Sequence, residues 1–147
     1  MGFKFRYETL LSYRQHIKEK AEIDFAQALQ QLRLCRGGLE DLNNRRKMVT
    51  ARIESDLKGK VSSHELKNYS KFMDALQNRI IAQEMNVAKW EEVVRKKIEI
   101  LLEKAKQHKV IEKLKEKDLG KWKQHQNFLE QKIMNETAII RHGRKPV

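Results

Sequence analysis

The sequence predicts an all-α protein: a long two-helix antiparallel coiled-coil hairpin with the second helix longer than the first. Three observations predict it. Apolar residues recur in alternating steps of three and four over most of the chain, the spacing of a seam between paired helices. The composition is 39% hydrophobic and 35% charged, with one proline and six glycines in 147 residues, too little apolar material for a thick core and few helix breakers. The pattern is clearly interrupted in one place only, the stretch Asp56-Leu57-Lys58-Gly59-Lys60-Val61-Ser62-Ser63-His64-Glu65. Residues 1–147 therefore read as one hairpin: first helix over about 7–56, fold-back over about 57–62, second helix over about 63–141, and a basic tail at 142–147.

The first helix carries its seam through Tyr7, Leu11, Arg14, Lys18, Ala21, Phe25, Ala28, Leu32, Cys35, Leu39, Leu42, Arg46, Val49 and Ile53. Ala21 and Ala28 allow close approach of a partner helix, while Arg14, Lys18 and Arg46 weaken the stripe. Gly37-Gly38 costs about 2 kcal/mol relative to alanine in a helix, which predicts a bend or local softness there. At the fold-back, Gly59 is expected to end the helix with a positive φ. Ser62 and Glu65 form a capping-box pattern: the hydroxyl accepts from the Glu65 N–H and the carboxylate reaches back.

The second helix continues the seam through Leu66, Tyr69, Met73, Leu76, Ile80, Gln83, Val87, Trp90, Val94, Lys97 and Leu101. Counting outward from the turn sets Ile53 near Leu66 and Leu42 near Leu76 or Ile80. Beyond Leu101 the apolar phase reads as wandering through Ala105, Val110, Ile111, Leu114 and Leu119 before recovering at Trp122, Leu129, Ile133 and Ile140. At 1.5 Å per residue the arms are about 75 and 115 Å long, so about 25 residues of the second helix should outrun the first, in a rod.

The formal charge of +12 points to anionic partners, and it is uneven. Lys and Arg outnumber Asp and Glu by 13 to 8 in residues 1–62, by 7 to 6 in 63–100 and by 12 to 6 in 101–147, so the excess falls towards both chain ends. The Lys113, Lys115, Lys117, Lys121, Lys123 run reads first as a solvated face. No apolar run is long enough to span a membrane and no secretory h-region opens the chain, which predicts a cytoplasmic protein without membrane insertion. A single cysteine, Cys35, fits a reducing compartment and a small buried hydrophobe on the seam.

No glycine-rich phosphate loop, His-Glu-x-x-His, Cys-x-x-Cys or nucleophile elbow occurs. An enzyme is not expected, and neither are catalytic residues, cofactors or a metal. His16, His64, His108, His125 and His142 are scattered, and each reads as part of a solvated face.

Three stretches carry a pattern. The chain opens Phe3-Lys4-Phe5-Arg6-Tyr7-Glu8-Thr9-Leu10-Leu11-Ser12-Tyr13-Arg14, continues after the fold-back with Glu65 to Leu76 including Tyr69-Ser70-Lys71-Phe72-Met73, and ends Asn135-Glu136-Thr137-Ala138-Ile139-Ile140-Arg141. In this order on a basic hairpin they resemble the FliJ family of bacterial flagellar export proteins, over nearly the whole chain. The resemblance implies a non-enzymatic stalk and adaptor of type III export. Such a protein docks in the hexameric export ATPase, regulates it, and contacts the membrane export-gate protein and export chaperones at the cytoplasmic face of the membrane at the flagellar base. Carried over by position, a gate-contacting patch includes Leu42, Phe72 and Leu76, with Phe72 about 60° off the seam axis. Trp122, Phe128 and Leu129 are the candidate anchors for the ATPase ring, unless Phe3 and Phe5 cover them.

Other readings compete. One is the equivalent stalk of a virulence-type secretion system. Another is a basic coiled coil that binds nucleic acid, which the placement of most aromatics on or beside the seam disfavours, so no specific nucleic-acid partner is expected. A third is a structural homo-oligomer.

Overall fold

The computed structural model describes residues 2–59 and 61–143. Lys60, within the expected fold-back, and 144–147, within the expected basic tail, lie outside them. Two helices account for nearly all of the described chain: α1, Glu8–Leu57, and α2, Ser63–Gly143. They pack antiparallel, α2 being 81 residues long and α1 50, and the described residues contain no strand.

The turn is built from local hydrogen bonds. α1 closes with two tightened turns, Lys58 N–H donating to Ser55 O at 3.4 Å and Gly59 N–H to Asp56 O at 3.0 Å. The expected positive φ at Gly59 is therefore not used: no described residue has one. Bonds to the carbonyl three residues back give the last turn partners without a left-handed residue. On the other side, Glu65 N–H donates to Ser62 Oγ at 3.2 Å and Leu66 N–H to Ser62 O at 3.2 Å, the hydroxyl half of the capping box.

The described residues form two compact units, one within 20–102 and the other of 2–19 with 103–143. In Lys20–Leu102 the antiparallel register runs through Tyr69 O–H donating to Asp56 Oδ2, Arg46 Nη1 to Gln77 Oε1 at 3.1 Å, Gln83 Nε2 to Cys35 O at 2.8 Å, and Arg36 Nη2 to Glu91 Oε1 at 3.2 Å. The seam is apolar, with Ala21, Ala28, Leu32, Cys35, Leu76, Ile80 and Val87 all buried. Leu39, Trp90 and Val94 pack around Leu32, Cys35 and Val87. α1 runs unbroken through Gly37-Gly38. The second of these has a packing role: a Cβ on Gly38 would meet Gln83 Nε2 at 3.1 Å, whereas one on Gly37 would meet nothing within 4 Å. Gly38 thus lets the Gln83 amide reach the Cys35 carbonyl, and Asn86 Nδ2 lies 3.3 Å from Cys35 Sγ beside it. A polar layer of this kind favours one register over its slipped alternatives.

The unit formed by the two chain ends is made differently. Arg14 donates to Gln107, Lys115 Nζ lies 2.9 Å from Glu8 Oε2, and the Phe3 and Trp122 rings meet at 6.0 Å. Phe5 and His108 are its buried side chains. Beyond Leu101 the seam broadens. Around buried His108 a three-four path of half-buried positions can be followed through Lys104, Ile111, Lys115, Asp118 and Trp122, but Ala105, Leu114 and Leu119 beside it are half-buried as well, and of the apolar residues expected there only Val110 is exposed. Four of the six positions on that path, His108 included, carry polar groups, so an apolar count moves to their neighbours. His108 is the correction among the histidines: it is 7% exposed, with Nδ1 3.4 Å from Glu112 Oε2, while the other four are exposed as expected.

Two boundaries also shift. α1 begins at Glu8, leaving the seam's first residue Tyr7 exposed, and α2 continues through His142 and Gly143, which were expected in the tail. The uninterrupted exposed stretch of α2 is 127–143, shorter than the overhang expected from arm lengths. The difference arises because the segment before α1 is ordered and its Phe3 reaches Trp122.

Candidate interaction surfaces

Phe72 lies in the third turn of α2, beside rather than on the seam, and is 48% exposed. It shares a groove with Val49 and Arg52 of α1 and with Glu65, Asn68 and Tyr69 of α2. Leu42, half-buried, lies in a second groove on the same side, with Gly38, Asp41, Arg45, Arg79 and Gln83. Arg79 and Gln83 flank Ile80 along α2, and the Arg46 to Gln77 bond lies one turn away, so Leu42 meets α2 about where the count from the turn sets it. Leu76 is different. At 3% exposure it is held between the helices, so its part in any contact here is to set the positions of Phe72 and Arg79. The structure thus brings Leu42 and Phe72 to one lateral face and withdraws Leu76 beneath it.

That face contains residues the apolar count did not select. Met48 is 73% exposed in a groove with Asp41, Asn44, Arg45, Val49 and Arg52, and Met85, 70% exposed, lines another with Leu42, Arg79, Ala82, Asn86 and Lys89. The available signal was the heptad flank: Arg45 and Arg52, and likewise Phe72 and Arg79, are seven residues apart. Near the turn, Tyr69 donates to Asp56, and that hydrogen bond, helped by burial and by the Asp56 charge, pushes the phenol above its ordinary value of 10.0. Further along α2, Arg95 hydrogen-bonds Glu92 and holds that carboxyl below its usual range.

The chain-end unit separates the three aromatic and apolar candidates. Trp122 is half-buried under Phe3, their rings tilted at 55°, whereas Phe128 is 62% and Leu129 37% exposed. Phe5 does not cover these two; it is itself buried and packs edge-on against Tyr7 at 5.8 Å. Ile133, Met134, Ile139 and Ile140 continue the exposed apolar content of α2. Of the lysine run, Lys115 leaves the solvated face to pair with Glu8 at the seam, while Lys113, Lys117, Lys121 and Lys123 stay exposed.

Among the described residues no group of three or more His, Cys, Asp or Glu is placed to hold a metal ion, and no helix is long and apolar enough to cross a membrane. Two helices packed along a narrow seam, with apolar side chains exposed beside Phe72, along 127–143 and at scattered positions between, leave apolar surface of the kind that other proteins cover.

Comparison with known proteins supplies the family. Residues 3–146 match the family described as Flagellar FliJ protein, and the chain belongs to that family. The Flagellar FliJ protein of Bacillus subtilis (strain 168) is 24% identical over 139 residues, 95% of each chain. Among solved structures, CT670 of Chlamydia trachomatis, described as a YscO homolog, superposes with a TM-score of 0.52 at 15% identity, covering 97% of this chain and 96% of the other. At that identity the likeness is one of fold.

Proposed function

We propose that the chain is a non-enzymatic coiled-coil stalk and adaptor of bacterial flagellar type III protein export. It works at the cytoplasmic face of the membrane, where it docks in the hexameric export ATPase, modulates that enzyme, and links it to the export gate and to substrate-chaperone complexes. The observation that carries this reading is the family match over residues 3–146. The exposed surfaces support a division of labour. Phe72 and Leu42, backed by Leu76, serve the gate, and Phe128 and Leu129, on a helix anchored by Phe3 against Trp122, serve the ATPase ring.

The test is to immobilise the chain and ask which proteins of a flagellated bacterium it retains. Recovery of the export ATPase and the gate protein is expected; retention of neither refutes the reading. Truncation after Gln126 removes Phe128 and Leu129 but keeps the Phe3–Trp122 contact. It should abolish stimulation of the ATPase while circular dichroism still reports a helical protein. Phe72→Ala should weaken gate binding by about 1–3 kcal/mol, the range of a contact hot spot, and leave ATPase stimulation unchanged.

A further inference from the structure

We propose that the lateral face bearing Phe72 recognises an acidic partner segment with an apolar stripe, laid lengthwise between the flanks of α1 and α2. The proposal rests on the reading that this face docks a partner; what it adds is the partner's chemistry.

Four grooves of residues 20–102 join through shared walls. Val49 and Arg52 belong to the groove of Phe72 and to that of Met48, Asp41 and Arg45 connect Met48's groove to Leu42's, and Leu42, Arg79 and Gln83 connect that one to the groove ending at Met85 and Lys89. The result is one continuous strip along α2 residues 65–89, about 36 Å at helical rise. Its floor is apolar: Leu42, Val49 and the edge of Phe72, with Met48 and Met85 exposed on its borders. The absence of a side chain at Gly38 keeps its middle open over Gln83.

The rim is basic. Arg45, Arg52, Arg79 and Lys89 are all exposed, and the acidic residues on the same walls are Asp41 and Glu65. Among the described residues none of these four cations forms an ion pair or side-chain hydrogen bond, although Arg36, Arg46, Arg95 and Lys115 elsewhere on the same helices do. Guanidinium groups present a planar fork that fits a carboxylate with two parallel bonds and remain charged at any physiological pH. Three guanidinium groups and the Lys89 ammonium along an apolar floor complement a segment carrying Asp or Glu on both sides of an apolar stripe, and repel a basic one. Flexible methionines at the borders accommodate varied apolar side chains.

The experiment uses the full chain and two short synthetic helix-forming peptides with the same leucine stripe, one flanked by glutamates and the other by lysines. Fluorescence anisotropy at low and high salt reads their binding. The glutamate peptide is expected to bind about tenfold or more tightly than its lysine counterpart, with a preference that shrinks as salt rises. The Arg45→Glu/Arg79→Glu double variant, whose changes are both at exposed and unpaired positions, should keep its melting temperature and lose that preference. Equal binding of the two peptides, or of the glutamate peptide to wild type and double variant, overturns the proposal. A parallel titration with the cytoplasmic portion of the export gate separates this from the functional reading. If the gate binds wild type and double variant alike, the acidic-segment proposal falls and the docking reading stands. If the gate does not bind wild type but the charge-selective peptide result holds, the gate assignment falls and the proposal stands.

Discussion

Residues 20–102 and the unit formed by the chain ends are built on the same pair of helices but held by different forces. In the first, seven side chains from Ala21 to Val87 are buried and all are apolar or sulfur-bearing. In the second, half-buried apolar residues such as Leu11, Ile17, Ile111 and Leu114 are interspersed with half-buried Arg14, Lys18, Lys104 and Lys115, its buried side chains are Phe5 and His108, and Phe3 on Trp122 and the Lys115–Glu8 pair join its two segments. Burying apolar area stabilises in proportion to the area, whereas charged seam positions must remain partly hydrated and hold the helices loosely. The difference teaches that a seam continued along the same two helices need not be uniformly stable. The chain-end unit should open first, and in a protein whose ends are proposed to dock in a ring, that adaptability is useful.

The largest effect expected from this comparison is at Ile80, 1% exposed. Ile80→Ala should cost about 2–5 kcal/mol in urea denaturation, whereas Ile111→Ala, at a half-buried position of the chain-end seam, should cost less than about 2 kcal/mol. Amides of residues 103–122 should also exchange hydrogen faster than those of 73–94. Equal losses and equal protection would erase the distinction.

His108 offers the opposite manipulation. Its imidazole is buried in a seam that otherwise favours apolar residues, and its closest charged neighbour, Glu112, is half exposed and stays solvated without it. His108→Leu should therefore raise stability by about 1 kcal/mol, the saving from not burying a polar ring, and slow exchange in residues 103–122. A fall in melting temperature would show that the imidazole contributes a contact worth more than its burial costs.

The glycine pair sharpens the account of residues 20–102. Gly37→Ala enters open space and should stabilise by about 0.5–1 kcal/mol through helix propensity. Gly38→Ala gains the same propensity but pushes Gln83 off the Cys35 carbonyl, so it should end clearly less stable than Gly37→Ala. Identical stabilities would remove the polar layer's role in register.

The smallest effect is alkaline. The protonated Tyr69 phenol is the form that donates to Asp56, so the folded state holds that proton more firmly than the unfolded one. Its contribution is complete below the ordinary value of 10.0 and is lost as pH rises through the higher folded value. Tyr69→Phe should lose this alkaline dependence, read as the urea midpoint against pH in that window. A wild-type profile that matches the variant throughout would discount the bond.

How much of this was legible in the residues depends on the range of the interaction involved. The two helices, their unequal lengths and the place of the turn follow from local physics: three-four spacing, scarce breakers, and a Ser62 hydroxyl with a free N–H at Glu65 to accept from. Phe72's exposure was legible too, because it is a matter of angle around one helix. The tertiary structure alone decided which polar residues the seam would take in. His108 has no local signature of burial; it is covered because the antiparallel register sets it against α1, where the turn around Arg14, bonded to Gln107, lies beside it, and the same register gives Gln83, already on the seam by its spacing, the room beside Gly38 and the Cys35 carbonyl as its partner. The same register brings Phe3 onto Trp122, some 120 residues away in sequence, and so determines how much of α2 is left exposed. A single strand of residues carries the period of a seam, but burial is a property of the pair, and the pair exists only once the chain has folded back on itself.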